Sequence, residues 1–105
     1  MAEVALIVKI VTQEGRRDDA VAALRPLVEA ARNEEGTEVY AMHVQADEPN
    51  TIWFYERYTD AAARDAHGRS DTMKEVGSAL RGVTAGRPEV TALIPVVAKG
   101  VPDGG

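Results

Sequence analysis

The stretch Val4–Val11, VALIVKIV, is apolar on both of its alternating faces. Val4, Leu6, Val8 and Ile10 share one face; Ala5, Ile7 and Val11 share the other, interrupted only by Lys9. Strand side chains alternate with period two, so the pattern describes a strand covered on both sides rather than one facing water. In a chain of 105 residues that is a strong demand. One domain of this size supplies a sheet and a layer of helices, and the other face of the sheet must find its cover elsewhere.

The rest of the chain supplies the partners. After TQEG, apolar residues at 20, 21, 24, 27, 28 and 31 form one stripe of an amphipathic helix over residues 16–32. Pro26 removes a backbone donor inside it and predicts a kink or restart, and Gly36 suits a left-handed C-terminal cap. Residues 38–45 and 51–58 read as two strands of a hairpin joined by ADEPN, whose Asp, Pro and Asn are turn formers. TDAAARDAH predicts a short helix capped by Thr59 or Asp60 and stopped by Gly68. Ser70 and Asp71 cap a separate helix carrying Met73, Val76, Leu80 and Val83. A last strand spans residues 89–97, with Pro95 at an edge, a bulge or the strand end. Residues 99–105 read as a flexible tail and residues 1–98 as one domain.

The order β-α-β-β-α-β, with the second helical segment in two pieces, predicts an α+β fold of the ferredoxin-like, split βαβ kind: a four-stranded antiparallel sheet with helices on one face. The uncovered face would carry more apolar surface than soluble monomers expose, so a homodimer packed sheet on sheet into an α+β barrel is expected.

Charge and composition remove several function classes. Seventeen acidic against twelve basic residues, a net charge of -5, argue against nucleic acid or an anionic membrane as partner. Without cysteine there is no disulfide, thiolate metal site or cysteine nucleophile. The N-terminal apolar run of five residues is too short for a membrane span and lacks signal-peptide features, so a cytoplasmic setting is expected. There is no GxGxxG, GxxxxGK[ST] or HExxH motif.

Four segments together resemble the antibiotic biosynthesis monooxygenase-like proteins of the dimeric α+β barrel superfamily: EG at 14 and 15, AARNEEGTEVY at 30 to 40, FYERYTDAAARDAH at 54 to 67, and RPEVTALIPV at 87 to 96. The resemblance spans nearly the whole chain. It implies a monooxygenase or quinol-type oxidase working without flavin or metal, on a small hydrophobic aromatic or polyphenolic molecule. The substrate loses a proton, and its anion reduces dioxygen directly. The fold also hosts haem-degrading enzymes, an isomerase and proteins of unknown role, so two alternatives stand beside this one. One is a non-catalytic small-molecule-binding or stress-related dimer; the other is an isomerase or hydrolase of a small polar metabolite.

His67 is the candidate base, because imidazole titrates near neutrality and this one ends a short helix beside the hairpin aromatics. A helix-terminal histidine bonded to free carbonyls or to a neighbouring carboxylate is the plainer alternative. The family places its ligand between sheet and helices, which makes Tyr40, Trp53, Tyr55 and Tyr58 the candidate lining residues. Trp53 and Tyr55 share one face of the third strand, and Phe54 and Tyr58 the other. His43 lies mid-strand, as a core or interface histidine or a pocket residue. Glu56 is expected in a structural salt bridge, within the chain or across the dimer, rather than in catalysis, since an unpaired buried carboxylate is costly. The haem-degrading pattern fits poorly: it would place His67 at the aromatic position, Val76 or Gly77 at the iron ligand, and Ile7 or Val8 where an Asn is expected.

Overall fold

The computed structural model describes residues 4–101. Its elements follow in the order β1 (Val4–Val11), α1 (Arg17–Ala31), β2 (Thr37–Val44), β3 (Thr51–Tyr58), α2 (Ala61–Gly68), α3 (Asp71–Ala79) and β4 (Glu89–Leu93). The sheet is antiparallel with strand order β2-β3-β1-β4, so the doubly apolar strand lies inside it, paired with β3 and β4. This is the ferredoxin-like α+β fold.

Alternation divides the sheet into two unlike faces. Leu6, Val8 and Ile10 of β1 and Ile52, Phe54 and Tyr58 of β3 form one buried cluster with Ala20, Leu24 and Leu27 of α1 and Val76 of α3. The helices therefore all serve this inner face. Cluster residues such as Leu24, Ile52 and Phe54 are almost wholly removed from water, and each such side chain contributes about 1.5–3 kcal/mol through burial. The outer face holds Ile7, Lys9, Trp53 and Tyr55, with Lys9 Nζ 5.7 Å from the Trp53 ring centroid.

Several local expectations are corrected. α1 runs through Pro26 as one helix, without a restart. Pro26 and Ala22 both lie on its exposed side, where water can satisfy the carbonyl that loses its donor. Gly36 is not a left-handed cap: positive φ occurs at Gly15, Gly82 and Gly100 among the described glycines. Its lack of a side chain answers a close approach instead, since a Cβ there would lie 2.5 Å from Ala63 Cβ on α2. Gly68 is the last residue of α2 rather than a stop beyond it. β4 ends at Leu93, four residues short of expectation, and Pro95 lies past its end. Ile94, Val96 and Val97 are 84, 70 and 80% exposed. Of the expected tail, residues 102–105 lie outside the described residues, and residues 99–101 carry neither helix nor strand.

The helix starts agree with the sequence. The Asp60 carboxylate accepts from Ala63 N at 2.8 Å, and Ser70 Oγ accepts from Met73 N at 3.1 Å. These two caps, ten positions apart, start α2 and α3 as separate helices. Among the described residues no helix is long and apolar enough to cross a membrane.

Candidate functional site

The period-two alternation of β3 decides which aromatic residues can meet a ligand under the helices. Ile52, Phe54, Glu56 and Tyr58 face inward; Trp53, Tyr55 and Arg57 face outward. Tyr40 of β2 is in register with Glu56 and packs against the same inner cluster. His67 in the last turn of α2 is buried over them.

Three of the expected site residues are thereby brought together. The His67 ring centroid is 4.6 Å from that of Tyr40 and 5.7 Å from that of Tyr58. Phe54 extends the group, 5.1 Å from Tyr40. The other two are not part of it: Trp53 and Tyr55 lie on the opposite face of the sheet, where Trp53 Nε1 donates to Gln45 Oε1 at 2.7 Å. His43 is opposite Trp53 in register and is exposed on that outer face. Consecutive strand residues point apart, so the run Trp53, Phe54, Tyr55 cannot all line one pocket.

The grouped residues wall a cavity of about 410 Å³ between the sheet and the helices, within the range of small-molecule sites. Leu6, Val8 and Ile10 form its floor, Leu24 and Val76 part of its helical side, and Tyr40, Glu56, Tyr58 and His67 its polar corner. Arg64, one turn before His67, also lines it. Val76 and Gly77, the positions that the haem-degrading pattern would assign to an iron ligand, line the cavity, and neither side chain can ligate iron. Among the described residues no group of three or more His, Asp or Glu side chains is placed to hold a metal ion.

The polar corner is a chain of specific contacts. Tyr58 Oη donates to Glu56 Oε1 at 2.6 Å. Burial pushes the Glu56 carboxyl above the usual carboxylate range, while the Tyr58 hydrogen bond and the charge of His67 pull it back. The Tyr58 hydroxyl is pushed up by burial and then by Glu56; that of Tyr40 is pushed up by burial and then by the charges of Glu56 and Glu34. His67 Nδ1 lies 2.8 Å from Glu34 Oε1, and Thr37 Oγ1 donates to that same oxygen at 2.8 Å. His67 Nε2 is buried without a hydrogen-bond partner among the described residues.

Within the chain, Glu56 departs from the expected salt bridge. Among the described residues it makes no ion pair, and the buried salt bridge of this region belongs to its neighbour: Arg57 Nε lies 3.2 Å from Glu38 Oε1. Glu56 instead faces the cavity with Tyr58, a placement readable from its even position on β3. Glu34 carries no such signal, being 33 positions from His67 and between regular elements.

The sequence profile of one family, described as antibiotic biosynthesis monooxygenase, matches residues 3–77. The chain belongs to the antibiotic biosynthesis monooxygenase family. Solved structures with the same fold include a candidate antibiotic biosynthesis monooxygenase from Caulobacter crescentus, at 23% identity and TM-score 0.85 over 91% of this chain and 92% of that one. Another candidate antibiotic biosynthesis monooxygenase, from Chloroflexus aurantiacus, is 24% identical with TM-score 0.80 over 95% and 99% of the two chains. A protein from Shewanella oneidensis is 25% identical with TM-score 0.81 over 88% and 89%. No curated protein matches this sequence. The family match thus covers β1 through most of α3, including every residue of the polar corner.

Proposed function

We propose that this protein is a monooxygenase or quinol-type oxidase of the antibiotic biosynthesis monooxygenase family, and that it acts on a small aromatic hydroxyl compound held in the inner cavity. The observation that carries the reading is the buried, unpartnered Nε2 of His67 in the wall of a largely apolar cavity, beside two tyrosine rings. A bare imidazole nitrogen in a dry site is a proton acceptor waiting for an acid. A substrate O–H placed against it would transfer its proton to Nε2, leaving an electron-rich aryloxide that passes electrons to dioxygen. The surrounding Leu, Val and ring surfaces would exclude water and hold the flat substrate. Rings in the wall favour this reading over an isomerase or hydrolase of a polar metabolite.

The working unit in this proposal is a homodimer. Support comes from the partly covered Ile7, Trp53 and Tyr55 on the outer face and from the exposed Ile94, Val96 and Val97 beyond β4.

Oxygen uptake measured with a panel of hydroquinones and anthrone-like polyphenols tests the activity. Uptake above background that is lost in a folded His67→Ala variant is the expected result. Background rates across the panel, or a variant that matches wild type, would sink it.

A further inference from the structure

We infer that Glu34 is the positioning residue that makes His67 a base: its carboxylate holds the imidazole proton on Nδ1, so that Nε2, buried within the wall that His67 gives to the cavity, keeps its lone pair. The inference deepens the proposed function and rests, for its kinetic part, on His67 being the proton acceptor.

The contact is specific. Glu34 Oε1 stands 2.8 Å from His67 Nδ1, across 33 positions of sequence, and the His67 side chain is 3% exposed. A carboxylate has no proton to give, so the shared hydrogen belongs to Nδ1, and a neutral ring must then leave Nε2 bare. Nε2 is also the buried side-chain atom with no partner among the described residues. An unsatisfied buried polar atom is costly, and one in the wall of an apolar cavity is explained when a ligand hydroxyl completes it.

The surroundings fit a group that becomes charged during turnover. Tyr40 from β2, Glu56 and Tyr58 from β3, Glu34 from the segment after α1, and Arg64 from α2 itself surround the ring or share its cavity. When a substrate hydroxyl gives its proton to Nε2, the O–H bond breaks, an N–H bond forms, and the ring becomes imidazolium. Glu34 then faces a positive charge at hydrogen-bond distance, a strong, charge-assisted contact. Thr37 Oγ1 donates to the same Glu34 oxygen, and the Glu34 side chain is 27% exposed, so its own charge remains partly hydrated.

Ring ¹⁵N shifts from long-range proton–nitrogen spectra of the full chain read the tautomer directly, with His43→Gln leaving a single imidazole to observe. In the neutral ring of wild type, Nδ1 is expected protonated and Nε2 bare, the tautomer that free histidine disfavours. Glu34→Ala removes the acceptor and should move the proton towards Nε2. Glu34→Gln keeps an oxygen acceptor without the charge: it should retain the tautomer and reduce kcat by roughly 100-fold with KM little changed. Thr37→Val, which removes the other bond to that oxygen, should leave the tautomer as in wild type.

A Glu34→Ala spectrum with Nε2 still bare would overturn the inference. So would a Thr37→Val spectrum shifted as far as that of Glu34→Ala, since the effect would then belong to the loop. If no substrate is oxidised by wild type, the function fails while the tautomer spectra still decide the role of Glu34.

Discussion

Tyr58 Oη and Glu56 Oε1, two residues apart on the inner face of β3, are joined by a 2.6 Å hydrogen bond inside the protein. A strand places positions i and i+2 on one face, and here that spacing supplies a buried carboxyl with its donor. Burial raises the Glu56 carboxyl above its ordinary value of 4.5. Between that value and the raised one the native state binds a proton that the unfolded chain has released. Stability from this group is complete below the unfolded value and lost as pH rises through the folded one. Glu56→Gln keeps an acceptor for Tyr58 and removes the titration. Its urea midpoint should therefore gain on wild type as pH rises from about 5 to about 8. Parallel curves for the two proteins would contradict the assignment.

The hydroxyls of Tyr40 and Tyr58 are both pushed above their ordinary 10.0 by burial. With a raised native value, the stabilisation is present below the unfolded value and lost as pH climbs past it. Absorbance of phenolate near 295 nm should show these two rings ionising only with alkaline unfolding, as followed by circular dichroism. Tyr40→Phe and Tyr58→Phe should each subtract amplitude from that late step. Amplitude subtracted from an earlier, native-state step would refute the burial argument.

Gly36 and Gly68 should respond in opposite directions to alanine. A Cβ at Gly36 would meet Ala63 Cβ at 2.5 Å, so Gly36→Ala is expected to cost about 1–3 kcal/mol through overpacking. Ala63→Gly in the same chain should recover part of that loss in a double-mutant cycle. Gly68 closes α2 with nothing within 4 Å of its would-be Cβ, and Gly68→Ala should gain about 0.5–1 kcal/mol in helix propensity. Equal effects at both positions in urea unfolding would contradict the close approach of α2 to the start of β2.

Trp53 is the only tryptophan and lies on the face opposite the cavity. It is therefore a reporter of the proposed sheet-to-sheet dimer. Light scattering at micromolar concentration should give twice the chain mass of 11.3 kDa, and dilution should shift the tryptophan emission to the red. Ile94→Asp with Val96→Asp should return the mass to that of a single chain. A wild-type mass of one chain would remove the dimer.

Much of the fold was legible in local pattern. The double apolar alternation of β1, the stripe of α1 and the caps at Asp60 and Ser70 each report on neighbours in sequence, and each element formed where the pattern placed it. Errors arose where a local signal met a distant constraint. Pro26 predicts a kink or restart, but α1 does not restart there, and the carbonyl that loses its donor lies on the wet side of the helix. Gly36 suits a cap by local pattern, but its smallness answers Ala63, which arrives from another element.

The candidate site divides in the same way. Period and propensity, being properties of adjacent residues, determined that Phe54 and Tyr58 share a face and that Trp53 and Tyr55 share the other. Which of those faces meets the helices was decided by the packing of α1 and α3 on Leu6, Val8 and Ile10, a choice made by burial across the whole chain. Only tertiary structure could bring the carboxylate of Glu34 to His67 Nδ1 and leave Nε2 bare beside the cavity. A hydrogen bond 33 positions long leaves no periodic trace, because its geometry belongs to the path of the chain between the two residues.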